Sequence, residues 1–408
     1  MKKVALKDQS FIPYGQQWID EEDIQAVNNV LKSAFLTCGP IVDQFEVALA
    51  KKVESQFAIA VSSGTAALHL CSLVLDLKPG DKVIVPSITF LATANAVKYM
   101  GADVIFADVD TETGLMSYEH YLRAYESGGN DVKAVYYVHL NGQVSDDFVK
   151  IAKDAKQKNI FIVEDAAHAI GTKHSIDDDV VKPVGSCAIS DLCIFSFHPV
   201  KTITMGEGGA ITTNNEHYYE KLKTLRHHGM VRDPALFTLK ELAFTHEGQP
   251  YPWYYEMSEM GFNYRATDIH CALGLSQLKK LDYFVARRQE IVRLYDDAFE
   301  SLTSLLRPIP KTDPNLTAFH LYPILIDFSA LKKNRYQVIQ ELKNLGIGTQ
   351  VHYMPLPLHP FYKENYRTSN IPGAMIYYSK VLSLPLYPKM RNDDVFRVID
   401  AVRDVIRT

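Results

Sequence analysis

Short runs rich in Val, Ile, Ala and Phe recur through the first half of the chain, at residues 57–61, 82–85, 103–106, 134–138, 160–163, 192–195 and 210–212. Each is too short for a helix, and helix-compatible sequence separates them. Strands that are apolar on both faces, alternating with helices, predict an α/β fold on a mostly parallel sheet covered on both sides. In such sheets ligands bind beyond the carboxyl ends of the strands. Ser63, Gly64, Thr65, Phe90, Asp165 and Lys201 all fall at those ends, so one crevice is expected to gather them.

Between residues 281 and 299 the apolar positions 281, 284, 285, 291, 292, 295, 298 and 299 keep helical spacing. This predicts one long amphipathic helix that leaves a large domain (residues 1–280) and enters a smaller α+β one (residues 281–408). Strand candidates follow at 320–326 and 349–353, then proline-rich loops and a terminal helix from Asp393. Residues 228–261, which include Trp253-Tyr254-Tyr255, have no clear period. A loop that long within a compact domain is usually functional or disordered, and a lid or subunit-contact loop is expected there.

Composition narrows the function classes. The chain has 408 residues, 47% of them hydrophobic and 22% charged, with a net charge of −5. That length suits two domains, and that charge supplies no basic field for nucleic acid. The basic stretch Met1 to Asp8 is followed by no apolar segment of signal-peptide length, and no later window reaches membrane-spanning length, so a cytoplasmic protein is expected. The five cysteines, Cys38, Cys71, Cys187, Cys193 and Cys271, have no C-x-x-C spacing. They read as small hydrophobes in a reducing compartment, and no metal site is expected.

The candidate chemistry centres on Lys201. It follows the apolar run 192–195 within Ser196-Phe197-His198-Pro199-Val200-Lys201 and precedes Gly206-Glu207-Gly208-Gly209. A desolvated amine at a strand end has a depressed pKa and becomes a nucleophile. Asp165 ends another apolar run; it can face a pyridine nitrogen and keep it protonated, or cap the following turn. Gly64 and Thr65 open a helix whose N-terminus suits a phosphate, although Ser63 equally reads as an ordinary helix cap. Ser196 can offer a hydroxyl to the same phosphate. Phe90 is either a stacking partner for a flat ring or a core residue. His168 can reach the phenolic oxygen of a cofactor or sit satisfied in the core. Together these residues suggest pyridoxal phosphate (PLP) chemistry.

With those motifs in hand, the sequence resembles the DegT/DnrJ/EryC1/StrS family of PLP-dependent sugar aminotransferases. The resemblance is carried by residues 36–40, 63–68, 164–171, 196–201, 206–210 and 261–265, which span most of the chain. It implies the type I PLP-dependent aminotransferase fold and a homodimer with shared active sites. By the resemblance Lys201 is the Schiff-base lysine, Asp165 pairs with the pyridine nitrogen and Phe90 stacks on the ring. Gly64, Thr65 and Ser196 hold the phosphate, with Asn263 reaching it from the neighbouring subunit. His168 stands where many members carry glutamine. Residues 12–16, 254–257, 271–280, 320–324 and 350–355 are similar to the branch that forms UDP-4-amino-4,6-dideoxy-N-acetyl-β-L-altrosamine for pseudaminic acid, with glutamate as amino donor. His352, Tyr353 and the loop around Trp253 are candidates for the sugar-nucleotide pocket. Rival readings are an aminotransferase for another keto-sugar nucleotide, of the perosamine or 3-amino type, and a non-catalytic regulatory protein of the same fold. Members that dehydrate sugars carry a histidine in place of the lysine, which disfavours that activity here.

Overall fold

The computed structural model describes residues 10–407 apart from 178, 303 and 366–369; the basic stretch Met1 to Asp8 lies outside them. Strands form at β1 (Phe57–Val61), β2 (Lys82–Pro86), β3 (Asp103–Ala107), β4 (Val132–Val138), β5 (Phe161–Asp165), β6 (Lys173–Asp177), β7 (Val180–Pro183), β8 (Leu192–Ser196), β9 (Gly209–Thr213), β10 (Met230–Val231), β11 (Glu256–Met257), β12 (Leu306–Pro308), β13 (Tyr322–Ile326) and β14 (Val381–Leu384). Seven of them make the central sheet, in the order β1-β9-β8-β5-β4-β2-β3. Only β9 runs against its neighbours, β1 and β8. The mostly parallel sheet expected from the apolar runs is therefore present.

The sheet is buried on both faces because successive side chains of a strand point to opposite sides. In β1, Ala58 and Ala60 join one apolar core while Ile59 and Val61 join the other. In β8, Cys193 and Phe195 face the first and Ile194 the second. Helices close both faces, and the carboxyl ends of β2, β4, β5 and β8 share one edge, with the turn after β1 beside them.

The helix Leu281–Phe299 links two cores. Leu281 and Phe284 pack into a core of the central sheet, whereas Ile291, Val292, Tyr295 and Phe299 pack against β13, β14 and the terminal helix Asn392–Arg407. At the changeover lies Arg288, only 1% exposed. Its Nη1 donates to the carbonyl oxygens of Phe319, His320 and Leu386 at 3.3, 3.0 and 3.0 Å. Burial lowers the guanidinium pKa to about 9.

Two local expectations change. Residues 349–353 form no strand; Gln350 alone bridges to Ser383, and the chain then runs into Pro355, which has no N–H to extend a ladder. The strand expected from 320 begins at Tyr322, since the N–H of His320 is spent on the carbonyl of Asn141 at 3.0 Å. The aperiodic loop is pinned instead by a two-residue ladder, β10 with β11, and by one carboxylate. Glu256 accepts from the N–H groups of Thr238 and Leu239 and from the hydroxyls of Thr238 and Tyr254. Although desolvation pushes its pKa up, those donors hold it down at about 2. Around this anchor Leu236, Leu239, Leu242, Trp253, Tyr255, Met257 and Met260 are all exposed.

Candidate active site

The turn after β1 starts a helix, Gly64–Val74, whose N-cap Ser63 accepts from the N–H of Ala66 at 3.1 Å. The capping reading of Ser63 thus holds, and it leaves the first N–H groups of the helix and the positive end of its dipole at the cavity. Gly64 keeps the turn close to the end of β8: a Cβ there would lie 3.0 Å from Cβ of Ser196, tight enough to make that residue shift. Gly209, at the start of the antiparallel β9, lets that strand pass the backbone of the turn, since a Cβ would meet the carbonyl oxygen of Ser63 at 2.4 Å.

Asp165 ends β5 on the cavity floor. Its Oδ2 accepts from Thr93 Oγ1 at 2.7 Å and its Oδ1 from the N–H of Ala167 at 3.2 Å. Burial raises its pKa, opposed by those bonds and by Lys201 and His139. The carboxylate is short of positive charge in a dry place. Lys201 sits in the loop between β8 and β9, and desolvation lowers its amine to about 8 against the opposing pull of Asp165. At pH 7 roughly one-tenth of that amine is unprotonated.

His168 follows Asp165 by one turn and is buried. Its Nδ1 accepts from the N–H of Asn141 at 3.3 Å, and its Nε2 meets the Tyr353 hydroxyl at 3.2 Å. Both ring nitrogens are thereby engaged inside the protein. His352 bonds the Ser383 hydroxyl through Nδ1 at 2.9 Å, and burial with Lys201 nearby lowers its pKa to about 3.

These residues share one cavity of about 680 Å³, lined by Gly64, Thr65, Phe90, Asp165, His168, Ser196, Lys201, His352 and Tyr353 among others. Phe90 is 56% exposed and so is no core residue; its ring stands 6.2 Å from that of Tyr353. Asn263 does not line the cavity of its own chain: it is exposed and bridges to His227. A groove of about 760 Å³ between the helices Glu21–Leu31 and Asp268–Lys279 contains none of the candidate residues. The loop around Trp253 lines a third, separate hollow with Arg232 and Phe237.

Sequence reasoning missed Thr93, the second donor to Asp165. The one available signal was its position three residues after Phe90, on the same face of a helix start. Tyr14, Glu207 and His320, which the sequence offered only within longer motifs, and His359 line the cavity from four separate segments.

The donor set fits PLP. An electron-rich buried carboxylate suits a protonated ring nitrogen, a glycine-cradled helix start suits a phosphate, and an exposed aromatic at the cavity suits a flat ring. The family model for DegT/DnrJ/EryC1/StrS aminotransferases matches residues 17–403. The chain belongs to that family. It is a sugar aminotransferase whose cofactor is PLP. Among DegT-family relatives, SpsC of Bacillus subtilis, a spore coat polysaccharide biosynthesis protein, is 38% identical over 99% of both chains. The UDP-4-amino-4,6-dideoxy-N-acetyl-β-L-altrosamine transaminase of Campylobacter jejuni is 36% identical over 97% of both. The solved PLP form of the sugar aminotransferase Spr1654 from Streptococcus pneumoniae superposes with a TM-score of 0.85 at 29% identity, covering 97% of this chain and 99% of that one. Helicobacter pylori PseC, an aminotransferase of pseudaminic acid biosynthesis, gives 0.84 at 28%, covering 98% and 100%. The same Spr1654 protein is also known in its pyridoxamine form.

Proposed function

We propose that this enzyme transfers an amino group from glutamate to the C4 ketone of a UDP-linked 4-keto-6-deoxy-N-acetylhexosamine, giving UDP-4-amino-4,6-dideoxy-N-acetyl-β-L-altrosamine, as a homodimer with shared sites. The observation that carries the chemistry is the pairing, in one cavity, of a lysine lowered to about 8 with a buried carboxylate that lacks a full counter-charge. The likeness to the Campylobacter jejuni transaminase over nearly the whole chain supports the sugar. SpsC is as similar, so a different keto-sugar nucleotide is the second reading.

PLP, when bound, supplies an aldehyde for the amine to condense with and a ring that takes up an electron pair. The chain's residues do the rest. Asp165 Oδ holds a proton on the ring nitrogen, and Thr93 fixes that carboxylate by its 2.7 Å bond. Gly64, Thr65 and Ser196 would take the phosphate, joined by Asn263 of a second copy. Phe90 would cover one ring face. Lys201 Nζ takes the proton from the carbon bearing the donor's amino group, and returns a proton at C4 of the sugar in the second half of the cycle. One amine can serve as base and acid in turn because desolvation lowers its pKa to about 8, close to neutrality. Tyr14, Gln350, His352 and His359, which also line the cavity, would face the sugar nucleotide.

Lys201→Ala is expected to keep the circular dichroism of the fold while turnover falls by about 10²-fold or more; substantial transamination by that variant would remove the lysine from the mechanism. The substrate is tested by offering the holoenzyme glutamate with a panel of UDP- and dTDP-linked 3-keto and 4-keto hexoses and reading the product by NMR. A 4-amino product from the UDP-N-acetyl substrate alone is expected. A 3-amino product, or a preference for a dTDP sugar, overturns the assignment.

A further inference from the structure

A fourth hollow, of about 670 Å³, lies along the linking helix Leu281–Phe299 and contains none of the candidate residues. The loop after β14, residues 388–392, forms its other side, and Trp18 closes it from the N-terminal segment. Tyr283, Arg287, Glu290 and Arg293 recur at the spacing of one helix face, and the short side chain of Ala286 leaves room between them. With Lys389 and Arg391 the hollow has four cations against one carboxylate, on a chain whose net charge is −5. Two of the four are already committed. Arg287 donates to the Met390 carbonyl at 2.6 Å and pairs with Glu290 at 2.7 Å, and Arg391 faces Asp394 at 3.5 Å. Arg293 and Lys389 are exposed and have no ionic partner among the described residues. Beside them stands an aromatic wall: the exposed ring of Tyr283 meets Trp18 edge-on at 5.5 Å, and Phe284 stacks behind Trp18 at 5.6 Å. Uncommitted cations next to exposed aromatic rings suit a ligand with phosphate at one end and a flat base at the other.

Each segment around the hollow reaches the cofactor cavity within a few residues. Tyr14, four residues before Trp18, lines that cavity. Arg287 is followed by Arg288, whose Nη1 holds the carbonyls of His320 and Leu386 at 3.0 Å each, and His320 lines the cavity as well. Leu386, two residues before Pro388, gives its N–H to the carbonyl of Tyr14 at 3.1 Å. Tyr14, Leu386, Arg288 and His320 are thus joined by hydrogen bonds between the two cavities. We propose that the hollow is an effector site for a nucleoside diphosphate, separate from the place where the sugar nucleotide reacts, and that its occupant tightens the binding of PLP. A ligand that bridges the N-terminal segment, the helix and the loop orders all three in advance, so that the cofactor has less order left to impose. No particular sugar enters this inference.

Trp253→Phe leaves Trp18 as the one tryptophan of the chain, so its emission, corrected for absorption by the nucleotide, reads the hollow directly. Titration of that holoenzyme with ADP or UDP is expected to give a saturable change. Adenosine and inorganic pyrophosphate, each carrying half of the ligand, are expected to bind at least about tenfold more weakly. Arg293→Glu combined with Lys389→Glu is expected to weaken ADP binding at least about tenfold, while the melting temperature and the turnover without added nucleotide stay close to wild type. Saturating ADP should lower the Kd of the wild-type apoenzyme for PLP about fivefold or more and leave that of the double variant where it was. Pyrophosphate that binds as tightly as ADP would make the hollow a plain anion patch and overturn the proposal. An emission change that persists in the double variant overturns it too, since the nucleotide is then bound elsewhere. ADP that weakens PLP in both proteins has entered the catalytic cavity, and ADP that binds at Trp18 without moving the PLP affinity is uncoupled from it; either result ends the effector role.

Discussion

Asp165 and Lys201 influence each other through the cavity, and the size of that influence sets two expectations. Asp165→Asn keeps the bond from Thr93 but loses the charge that holds a ring nitrogen protonated, so kcat is expected to fall about 10²-fold or more with the fold intact. Thr93→Val, which removes the donor alone, is expected to have the smaller effect. Lys201 can be tested before any turnover by mixing apoenzyme with PLP and following the visible band. Only the free amine reacts, and its pKa of about 8 lies below the ordinary lysine value. The capture rate should therefore rise about tenfold from pH 7 to 9 and then level off; an unshifted lysine would give a rise of about a hundredfold over the same interval with no plateau. Lys201 and Asp165 were legible in the sequence because Asp165 ends an apolar run and Lys201 follows one, and strand ends in an α/β sheet are where ligands bind. Thr93 was not, since its bond to Asp165 is set by the packing of a helix start against a strand end 72 residues away.

At the scale of elements, the long helix Leu281–Phe299 was legible from its apolar period, but Arg288 on its buried face was not. Nothing in a period-3.6 pattern says that a cation at such a place will be spent on carbonyl groups. Arg288→Met, which preserves volume, orphans the carbonyls of Phe319, His320 and Leu386 and is expected to cost roughly 3 kcal/mol or more in a urea melt. Because one of those carbonyls belongs to a cavity residue, PLP affinity should weaken with it. The misread strand at 349–353 has the opposite lesson. Its residues have strand-like composition, yet the segment lies beside β14 for a single pairing before the prolines, so its side chains face the cavity in place of building a sheet.

For the whole molecule, a chain of this kind rarely leaves Leu236, Leu239, Leu242, Trp253, Met257 and Met260 in water together. Their exposure, with Asn263 turned away from its own cavity, supports the homodimer proposed above. Leu242→Glu is expected to lower the mass seen by light scattering from dimer toward monomer. If the sites are shared, mixing inactive Lys201→Ala with an Asn263→Asp variant impaired at limiting PLP should restore about a quarter of wild-type activity, since half of the dimers are mixed and each of those carries one intact site. A mixture no better than its parents would mean each chain builds its own site.

The loop that carries Lys201 is closed at its base, where Ser196 and Gly209 lie opposite each other and the N–H of Phe197 meets the carbonyl of Gly208 at 2.9 Å. Both flanking strands are held in register by buried side chains on two faces, so neither can slide to absorb an inserted or deleted residue. Any change in length there would fall entirely on the reach of the amine. A single residue inserted between Phe197 and Gly208 is therefore expected to abolish turnover while the flanking strands keep their pairing.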